Sequence, residues 1–191
     1  MKTEIKYLSQ EELNRFFKVI TDLRDRALFL CIYKYGLRAS EAAMLEINDL
    51  DFVRRKIIIR RKKNGVSGEY LLMGDLTKVL KTYLDERKDD FYSSLFLSKK
   101  KNPISRQQID HLFKYYAEKA KLPKDKRHVH TLRHSIAVHM LDASQSIELV
   151  QDLLGHKDIR SSTIYAKISS RRRSQYLNEL EKAREIVKVS Y

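Results

Sequence analysis

Cysteine, proline and glycine are all scarce in this sequence. The single cysteine, Cys31, excludes an intrachain disulfide and lies in an apolar segment, which is typical of a buried thiol in a reducing, intracellular compartment. Only two prolines and five glycines occur, and no stretch has low complexity, so a long linker is not expected. We therefore expect one main domain.

Long hydrophobic runs are missing as well. No segment approaches the ~20 apolar residues needed to cross a bilayer, and residues 1–4 open no signal-peptide pattern. We therefore expect a cytoplasmic protein with no membrane partner. Hydrophobic residues still make up 42% of the chain, which is too many for a wholly disordered protein, so the chain is expected to fold.

Negative charge is in the minority. Lys and Arg total 39 against 25 for Asp and Glu, which gives a formal net charge of +14 at pH 7, and the excess is spread along the chain. A basic surface of this kind favours a polyanionic partner. The same charge also fits a generally soluble basic protein, so charge alone does not identify an enzyme.

The hydrophobic spacing predicts a mainly helical domain with a small antiparallel β-hairpin, an α+β fold. The hairpin is the β-branched run 56–61, followed after two glycines by 70–73, and its tip is basic. Residues 95–97 predict a further short buried strand. Helices are predicted from the Ser9 capping box, over 22–35, from Ser40, from Asp75, over 105–120, 131–142, 146–154 and 159–166, and after Ser170.

Two segments pair a basic side chain with a partner on the same helical face. Arg38 stands at the start of a short predicted helix, and Glu41 follows one turn later. His130 and Arg133, spaced i and i+3, place an imidazole and a guanidinium side by side on the first turn of another helix. Such a pair is suited to binding a phosphate.

Two further segments complete a pattern. Gly155 and His156 follow an apolar helix, and Tyr165 comes nine positions after that histidine. Each segment alone is weak, but the order Arg, His-x-x-Arg, Gly-His, Tyr is specific. The set resembles the tyrosine recombinase (phage integrase) family, whose C-terminal catalytic domain carries these residues in this order, and the resemblance spans nearly the whole chain.

The resemblance implies the catalytic-domain fold of that family and a site-specific DNA recombinase or integrase. Such an enzyme cuts and rejoins DNA strands through a covalent 3′-phosphotyrosine intermediate. No metal, nucleotide or other cofactor is implied, because the phosphotyrosine bond retains the energy of the broken phosphodiester. The short fimbrial phase-variation invertases look especially similar, through residues 36–41 and 102–108.

The same resemblance assigns roles to individual residues. Tyr165 matches the nucleophile, and Arg38 and Arg133 match the two catalytic arginines. Guanidinium groups suit that role because negative charge builds on the non-bridging oxygens as phosphorus becomes five-coordinate. They also favour the phenolate of a tyrosine, whose pKa is ~10 when free. His130 is expected to hydrogen-bond the phosphate or handle the tyrosine proton, and His156 to donate a further hydrogen bond.

In the family a lysine on the β-hairpin protonates the departing 5′ oxygen. Lys62 and Lys63 both lie at the predicted tip, and counting alternate inward residues from Ile57 favours Lys63. Lys62 stays open as the alternative. Glu41 matches an acidic position that orients the cationic cluster rather than reacts.

A metal site is the competing interpretation of the histidines. His130 and His134 have the i, i+4 spacing of a helical metal pair, with His128 nearby. No third ligand is evident, and the recombinase pattern already explains His130. We therefore expect no metal, and we expect His134 and His139 to be packing or hydrogen-bonded structural residues.

The catalytic domain is expected over residues 1–168, followed by a helical tail over 169–191 that docks on a neighbouring protomer. The implied partners are double-stranded DNA at the nucleoid, further copies of the chain in a tetrameric synapse, and accessory DNA-bending proteins. Most members of the family place a separate helical domain before the catalytic one. This sequence begins almost at the catalytic domain, so a naturally short enzyme and a piece of a longer integrase both stay open.

Two other functions fit parts of the pattern. A type IB topoisomerase or a telomere resolvase uses similar residues to nick and reseal DNA, and a topoisomerase would relax supercoils on any DNA. The compact length and the Leu-Leu-Gly-His segment at 153–156 favour the recombinase. A non-catalytic DNA-binding regulator that keeps the fold is the other alternative, but binding alone does not need a tyrosine at position 165.

Overall fold

A computed structural model describes residues 5–62, 65–88, 91–143 and 145–166 of the chain. Within them the expected mainly helical α+β fold, with a small antiparallel sheet, is confirmed. The strands are β1 (Leu50–Asp51), β2 (Lys56–Ile59) and β3 (Gly68–Leu71). The helices are α1 (Gln10–Lys18), α2 (Leu23–Lys34), α3 (Ala39–Ala42), α4 (Gly74–Arg87), α5 (Arg106–Lys119), α6 (His130–Asp142), α7 (Ile147–Leu154) and α8 (Arg160–Ala166).

The helices begin where the capping residues of the sequence indicate. The Ser9 hydroxyl accepts a hydrogen bond from the Glu12 backbone N–H, and the Glu12 carboxylate accepts one from the Ser9 N–H, which is a complete capping box for α1. Ser105 caps α5 and Ser146 caps α7 through the same kind of contact. These caps satisfy backbone donors that would otherwise be unpaired at the helix start.

Helix α2 lies at the centre of the fold and packs against α4 and α6. Its sequence is apolar around most of its circumference, as expected for a helix enclosed by neighbours. Ala27, Leu28, Phe29, Cys31 and Ile32 are all fully buried, so the predicted burial of the single thiol is confirmed. Because α3 follows α2 directly, this rigid core fixes where Arg38 and Glu41 lie.

The β-sheet has three strands rather than the two of the predicted hairpin. β1 pairs antiparallel with β2, and β2 pairs antiparallel with β3, with Ile57 opposite Tyr70 and Ile59 opposite Gly68. Ile57 and Ile59 are buried while Lys56 and Ile58 face solvent. The inward alternation continues to Arg61, which is also buried and brings a charged side chain under the sheet.

The predicted strand at 95–97 is wrong, although its burial is as expected. Leu95, Phe96 and Leu97 are buried, but the segment forms only isolated bridges at Ser94 and Leu97. The carbonyls of Leu95 and Leu97 accept from side chains, whereas that of Phe96 accepts from the Ile104 backbone N–H. Arg87 donates to the carbonyl oxygens of Ser94 and Leu95, and the Tyr83 hydroxyl donates to that of Leu95.

Helices α6, α7 and α8 form a second, smaller core. Ala137, Val138 and Leu141 of α6 pack with the other buried apolar side chains of this group, Val150, Leu154 and Tyr165. Residues 167–191 lie outside the described part of the chain, and the predicted helical tail falls there. No helix among the described residues is long and apolar enough to span a membrane.

The loop that follows β2 is attached to the C-terminal end of α7. The Val66 N–H donates to the Gly155 carbonyl at 3.2 Å, and the Tyr70 hydroxyl donates to the Asp152 carbonyl at 3.0 Å. Gly155 ends α7 with φ +62°, a left-handed conformation that favours glycine. A Cβ built on it would lie 2.9 Å from Arg61 Cγ and from the Val66 carbonyl oxygen, so only glycine allows this close approach.

We expect Gly155→Ala to lower the free energy of unfolding by about 2–4 kcal/mol, because a left-handed alanine is strained and its methyl group displaces the hairpin. Gly74→Ala is the matched control, since a Cβ on Gly74 meets no atom within 4 Å. It should change stability by less than about 1 kcal/mol. Urea unfolding of both variants measures the difference, and equal losses would contradict this account of Gly155.

Candidate active site

Glu41 is the centre around which the basic side chains gather. Its side chain is fully buried, and its carboxylate oxygens lie 2.7 Å from Arg38 Nη1, 2.9 Å from Arg61 Nη1 and 3.8 Å from Arg133 Nη1. Burial on its own raises the pKa of Glu41, but the Arg38 backbone hydrogen bond, the charge of Arg61 and the side-chain hydrogen bonds of both arginines hold it below its ordinary value. The carboxylate is therefore ionised at neutral pH, and three guanidinium groups face a single negative charge.

Arg38 holds its position through a local helix-capping contact. It precedes α3 as the N-cap residue, and its backbone N–H donates to the Glu41 carboxylate at 2.8 Å while its guanidinium binds the same carboxylate. Gly36, with φ +54°, makes the turn that leads from α2 to this position. The Arg38 side chain is 36% exposed, so one part of the guanidinium is anchored and another part faces the open cleft described below.

Arg133 is almost completely buried behind Arg38. It lies on the first turn of α6, and its guanidinium donates to the carbonyl oxygens of Gly36 and Leu154 and to His156 Nε2 at 2.9 Å. Burial, followed by the positive charge of Arg38, lowers the pKa of Arg133 to about 10. The side chain therefore stays charged at neutral pH and ties together three separate segments of the chain.

His156 is held in one tautomer by its two neighbours. A guanidinium can only donate, so His156 Nε2 accepts from Arg133 and the ring proton lies on Nδ1, which donates to the Ser162 hydroxyl at 2.9 Å. Burial, then the charges of Arg133 and Arg38, lower the pKa of His156 to about 4. The imidazole is neutral at pH 7, and it links the α7–α8 turn to the arginine cluster.

Tyr165 lies against the same cluster but is covered. Its side chain is 2% exposed, and its hydroxyl is 2.8 Å from His134 Nδ1. Burial raises the pKa of Tyr165, and the positive charges of Arg133 and Arg38 only partly offset that rise. The Tyr165 hydroxyl is therefore protonated at neutral pH, and it shares a hydrogen bond with His134.

An open basic cleft lies beside Arg38. It has a volume of about 700 Å³, and its basic lining side chains, which define the basic cleft from here on, are Arg38, Lys62, Arg106, Lys114, His128 and His130. The lining has one carboxylate, Asp110. Desolvation in the cleft, then the charges of Arg133 and Arg38, lower the pKa of His130. With its pKa below 6.5, His130 is mainly neutral at neutral pH. It is also exposed, so it is available to a molecule in the cleft.

The structure brings together most of the residues that the sequence singled out. Arg38, Glu41, Arg133 and His156 form one chain of contacts. Tyr165 contacts His134, whose ring packs edge-on against His130 with centroids 5.1 Å apart. Lys62 is exposed in the basic cleft. Lys63 lies outside the described residues, so its position stays a prediction. Among the residues that the structure describes, no group of three His, Cys, Asp or Glu side chains could hold a metal ion.

Comparison with known proteins decides the family. A family model described as the phage integrase family matches residues 6–172 of this chain. The chain belongs to the phage integrase family. The resemblance seen in the sequence is therefore confirmed.

The curated relatives include several proteins named tyrosine recombinases. Tyrosine recombinase XerA of Thermococcus onnurineus (strain NA1) is 34% identical over 168 residues, which cover 86% of this chain and 58% of that protein. Type 1 fimbriae regulatory protein FimE of Escherichia coli (strain K12) is 29% identical over 195 residues, which cover 95% of this chain and 98% of FimE. The chain thus spans only 58% of the length of the archaeal XerA relative.

Solved structures share the fold. A crystal structure of XerA recombinase superposes with a TM-score of 0.82 at 27% identity, covering 94% of this chain and 66% of that one. XerH site-specific recombinase, in a post-cleavage complex with palindromic difH substrate, gives a TM-score of 0.79 at 26% identity over 94% of this chain and 54% of that one. The predicted tyrosine recombinase catalytic-domain fold is therefore confirmed.

Three site residues were missed by sequence reasoning. Arg61 donates to Glu41 and to the Tyr35 and Leu153 carbonyls, yet the sequence offered it only as an inward hairpin residue. Ser162 fixes the His156 tautomer. His134 was expected to be a packing or hydrogen-bonded structural residue, and it contacts the Tyr165 hydroxyl. For Arg61 the strand alternation was an available signal, because a charged residue that points inward needs a partner.

We expect Arg61→Met to lower the free energy of unfolding by about 3–5 kcal/mol, because it removes one partner of the buried Glu41 carboxylate and leaves two carbonyls without their donor. Lys56→Met is the control. Lys56 pairs with Glu69 at 2.6 Å, but both side chains are about half exposed, so its loss should amount to less than about 1 kcal/mol. Chemical denaturation measures both variants, and a small effect of Arg61→Met would disprove the buried-pair account.

Stability should fall on mild acidification. The folded pKa values of His134 and His156 are about 4, below the ordinary value of 6.5. Above 6.5 these histidines are neutral in both states, whereas between 6.5 and 4 the unfolded chain binds protons that the folded chain does not, so stability declines across that window. Urea unfolding at several pH values measures the decline, which should be smaller in His134→Asn. A variant as acid-sensitive as the wild type would contradict the prediction.

Proposed function

We propose that this chain catalyses site-specific DNA recombination, cutting and rejoining strands through a covalent bond between Tyr165 and a 3′ phosphate. The observation that carries the proposal is the position of Tyr165 beside a buried, charged arginine cluster that borders the basic cleft. A buried tyrosine needs no such surroundings for packing alone. Positive charge fixed next to a phenol is what attack on a phosphodiester requires.

The reaction has two balanced halves. In cleavage, the Tyr165 oxygen forms a bond to phosphorus, the bond from phosphorus to the 5′ oxygen breaks, the phenol loses a proton and the 5′ oxygen gains one. In rejoining, a 5′ hydroxyl attacks the phosphotyrosine and the same transfers run in reverse. No external energy source is needed, because one phosphoester bond replaces another.

The two arginines contribute differently in this geometry. Arg38 is partly exposed at the cleft, so we assign it direct contact with the non-bridging oxygens of the scissile phosphate. Arg133 is 2% exposed, and its donors bind carbonyls and His156, so its charge acts on the phosphate and on Tyr165 from behind. Both would stabilise the charge that develops in the transition state.

The remaining assignments rest on position and chemistry. His130 is exposed in the basic cleft, which favours a hydrogen bond to the phosphate. His156 Nε2 accepts from Arg133, so donation to a phosphate requires that this contact be replaced. For the general acid, the inward alternation that reaches Arg61 supports Lys63, while the exposed position of Lys62 in the cleft keeps Lys62 as the alternative.

DNA is the substrate that the cleft favours, and XerH site-specific recombinase, which shares the fold, has been solved bound to palindromic difH substrate. Besides Arg38, its lining has cationic Lys62, Arg106 and Lys114, which suit adjacent phosphates of a DNA strand. Exchange between two duplexes breaks four strands, and each break needs its own nucleophile, so we propose a tetrameric synapse. We propose the nucleoid as its location. Docking of the 169–191 tail on a neighbouring protomer and help from DNA-bending proteins complete this proposal.

The decisive test is covalent trapping on a DNA substrate nicked near the scissile phosphate, with candidate sites taken from DNA flanking the gene. We expect a protein–DNA adduct on a denaturing gel for the wild type and none for Tyr165→Phe. Tyr115→Phe, at a half-exposed tyrosine far from the cluster in sequence, should behave as wild type. Arg38→Lys should slow adduct formation by about 100-fold or more.

Several outcomes would overturn the proposal. An adduct that persists in Tyr165→Phe would exclude this nucleophile, and tight DNA binding without any adduct would favour a regulator that keeps the fold. Relaxation of supercoiled DNA that carries no recombination site would favour a topoisomerase instead. Joined products from two separate sites distinguish recombination from both.

A further inference from the structure

The proposed nucleophile has one polar partner in the described part of the chain, and it is not His130. Tyr165 Oη lies 2.8 Å from His134 Nδ1, with the two ring centroids 5.6 Å apart. His134 follows Arg133 directly on α6, one turn after His130. The helix therefore presents an arginine to the cluster and a histidine to the phenol from adjacent positions.

The direction of this hydrogen bond follows from the shortage of other acceptors. Tyr165 is 2% exposed, and a buried hydroxyl that donates to nothing is costly. Within the residues that the structure describes, His134 Nδ1 is the acceptor within reach of the phenolic proton. The phenol therefore donates to Nδ1, and the proton of the neutral His134 ring lies on Nε2.

We propose that His134 is a catalytic residue of strand cleavage, which orients the Tyr165 phenol and takes its proton as the oxygen attacks phosphorus. The inference rests on the proposed function. The proton leaves Oη for His134 Nδ1, the bond between Oη and phosphorus forms, and the 5′ oxygen departs with a proton from the general acid. In rejoining, His134 returns its proton to the departing tyrosine oxygen, so the cycle leaves the residue unchanged.

This assignment separates the work of two neighbouring histidines. His130 is exposed in the basic cleft, where a phosphate would lie, whereas His134 lies behind it against the buried phenol. Their rings are nearly perpendicular, at 89°. His130 is thereby placed to serve the phosphate and His134 to serve the nucleophile.

The charged groups around His134 make its pKa depend on whether a phosphate is bound at the arginines. Burial lowers the pKa of His134 to about 4, together with the facing groups His130, Arg133, His128 and His156. A phosphate bound at the arginines brings negative charge that offsets the field of Arg133 and of protonated neighbours, so it raises the affinity of His134 for a proton. The phenol thus stays protonated in the free protein and becomes reactive when DNA fills the cleft.

Helix α6 carries a second histidine that contacts a tyrosine, and this histidine provides a matched control. The Tyr33 hydroxyl lies 2.8 Å from His139 Nδ1, which reproduces the contact of Tyr165 with His134 at a place that the proposed reaction does not use. His134→Asn and His139→Asn therefore remove the same kind of hydrogen bond from the same helix. Asparagine keeps an oxygen near the position of Nδ1 that can accept from a phenol, but it does not take up a proton.

The test measures the single-turnover rate of adduct formation on a nicked DNA substrate. We expect His134→Asn and His134→Ala to be slower than wild type by about 100-fold or more. For His134→Asn, which keeps an acceptor for the phenol, DNA affinity and thermal unfolding should be close to those of His139→Asn. His139→Asn should form adduct at the wild-type rate. If His134→Asn stays within about threefold of wild type, proton transfer to His134 is disproved.

A substrate with sulfur in place of the 5′ bridging oxygen locates the defect. Sulfur leaves without needing a proton, so this DNA restores the rate of a variant that lacks the general acid, tested here with Lys62→Ala and Lys63→Ala. It should not restore His134→Asn, because the missing step is on the nucleophile. Full rescue of His134→Asn would overturn the inference.

The two proposals fail in distinguishable ways. If the wild-type protein forms no adduct, the proposed function is wrong and this inference falls with it. If the wild type forms an adduct through Tyr165 and the His134 variants match the wild-type rate, only the inference is wrong. A slow His134→Asn beside a normal His139→Asn, without rescue by sulfur, supports both.

Discussion

The buried carboxylate of Glu41 is the interaction on which the site depends. Three guanidinium groups come within 4 Å of it, from α3, from the end of β2 and from α6. Without that carboxylate, three positive charges would be buried or half-buried side by side, at a high cost in free energy. With it, the cluster keeps an excess of positive charge, and Arg38 exposes part of that charge to the cleft. The fold thus holds in place positive charge of the kind that stabilises a phosphodiester during strand cleavage.

The arginines and the tyrosine of the site are held in place by different parts of the fold. Arg133 is bound to the backbone of two separate segments and sits under the central core. Tyr165 lies on α8, a helix of seven residues that belongs to the smaller core and is held to α6 at its hydroxyl by one histidine. Arg133 is therefore fixed by backbone carbonyls, whereas the proposed nucleophile is fixed by the packing of a short helix and by one hydrogen bond at its hydroxyl.

Much of the site could be predicted from the sequence, because its motifs are local. Arg38 and Glu41 are only three positions apart and pair through a helix-capping contact. The α+β fold follows from the spacing of the hydrophobic residues. What was missed depends on pairings distant in sequence: Arg61 reaches Leu153 across 92 residues, and His134 reaches Tyr165 across 31. The burial of Tyr165 depends on packing between helices. The segment at 95–97 fails as a strand because the Leu95 carbonyl accepts from Arg87 and Tyr83 instead of from a neighbouring strand. Single-sequence patterns do not contain such information.

Because Arg133 is buried and structural, we expect it to persist in relatives of this protein that no longer cut DNA. Its guanidinium holds the Gly36 and Leu154 carbonyls in place, so replacing it damages the architecture as well as the chemistry. Tyr165 contributes a ring to a small apolar cluster, and a phenylalanine would fill the same space. A relative that no longer cuts DNA would therefore lose the tyrosine hydroxyl before it loses the buried arginine. The presence of the arginine alone is thus weak evidence that a relative is active.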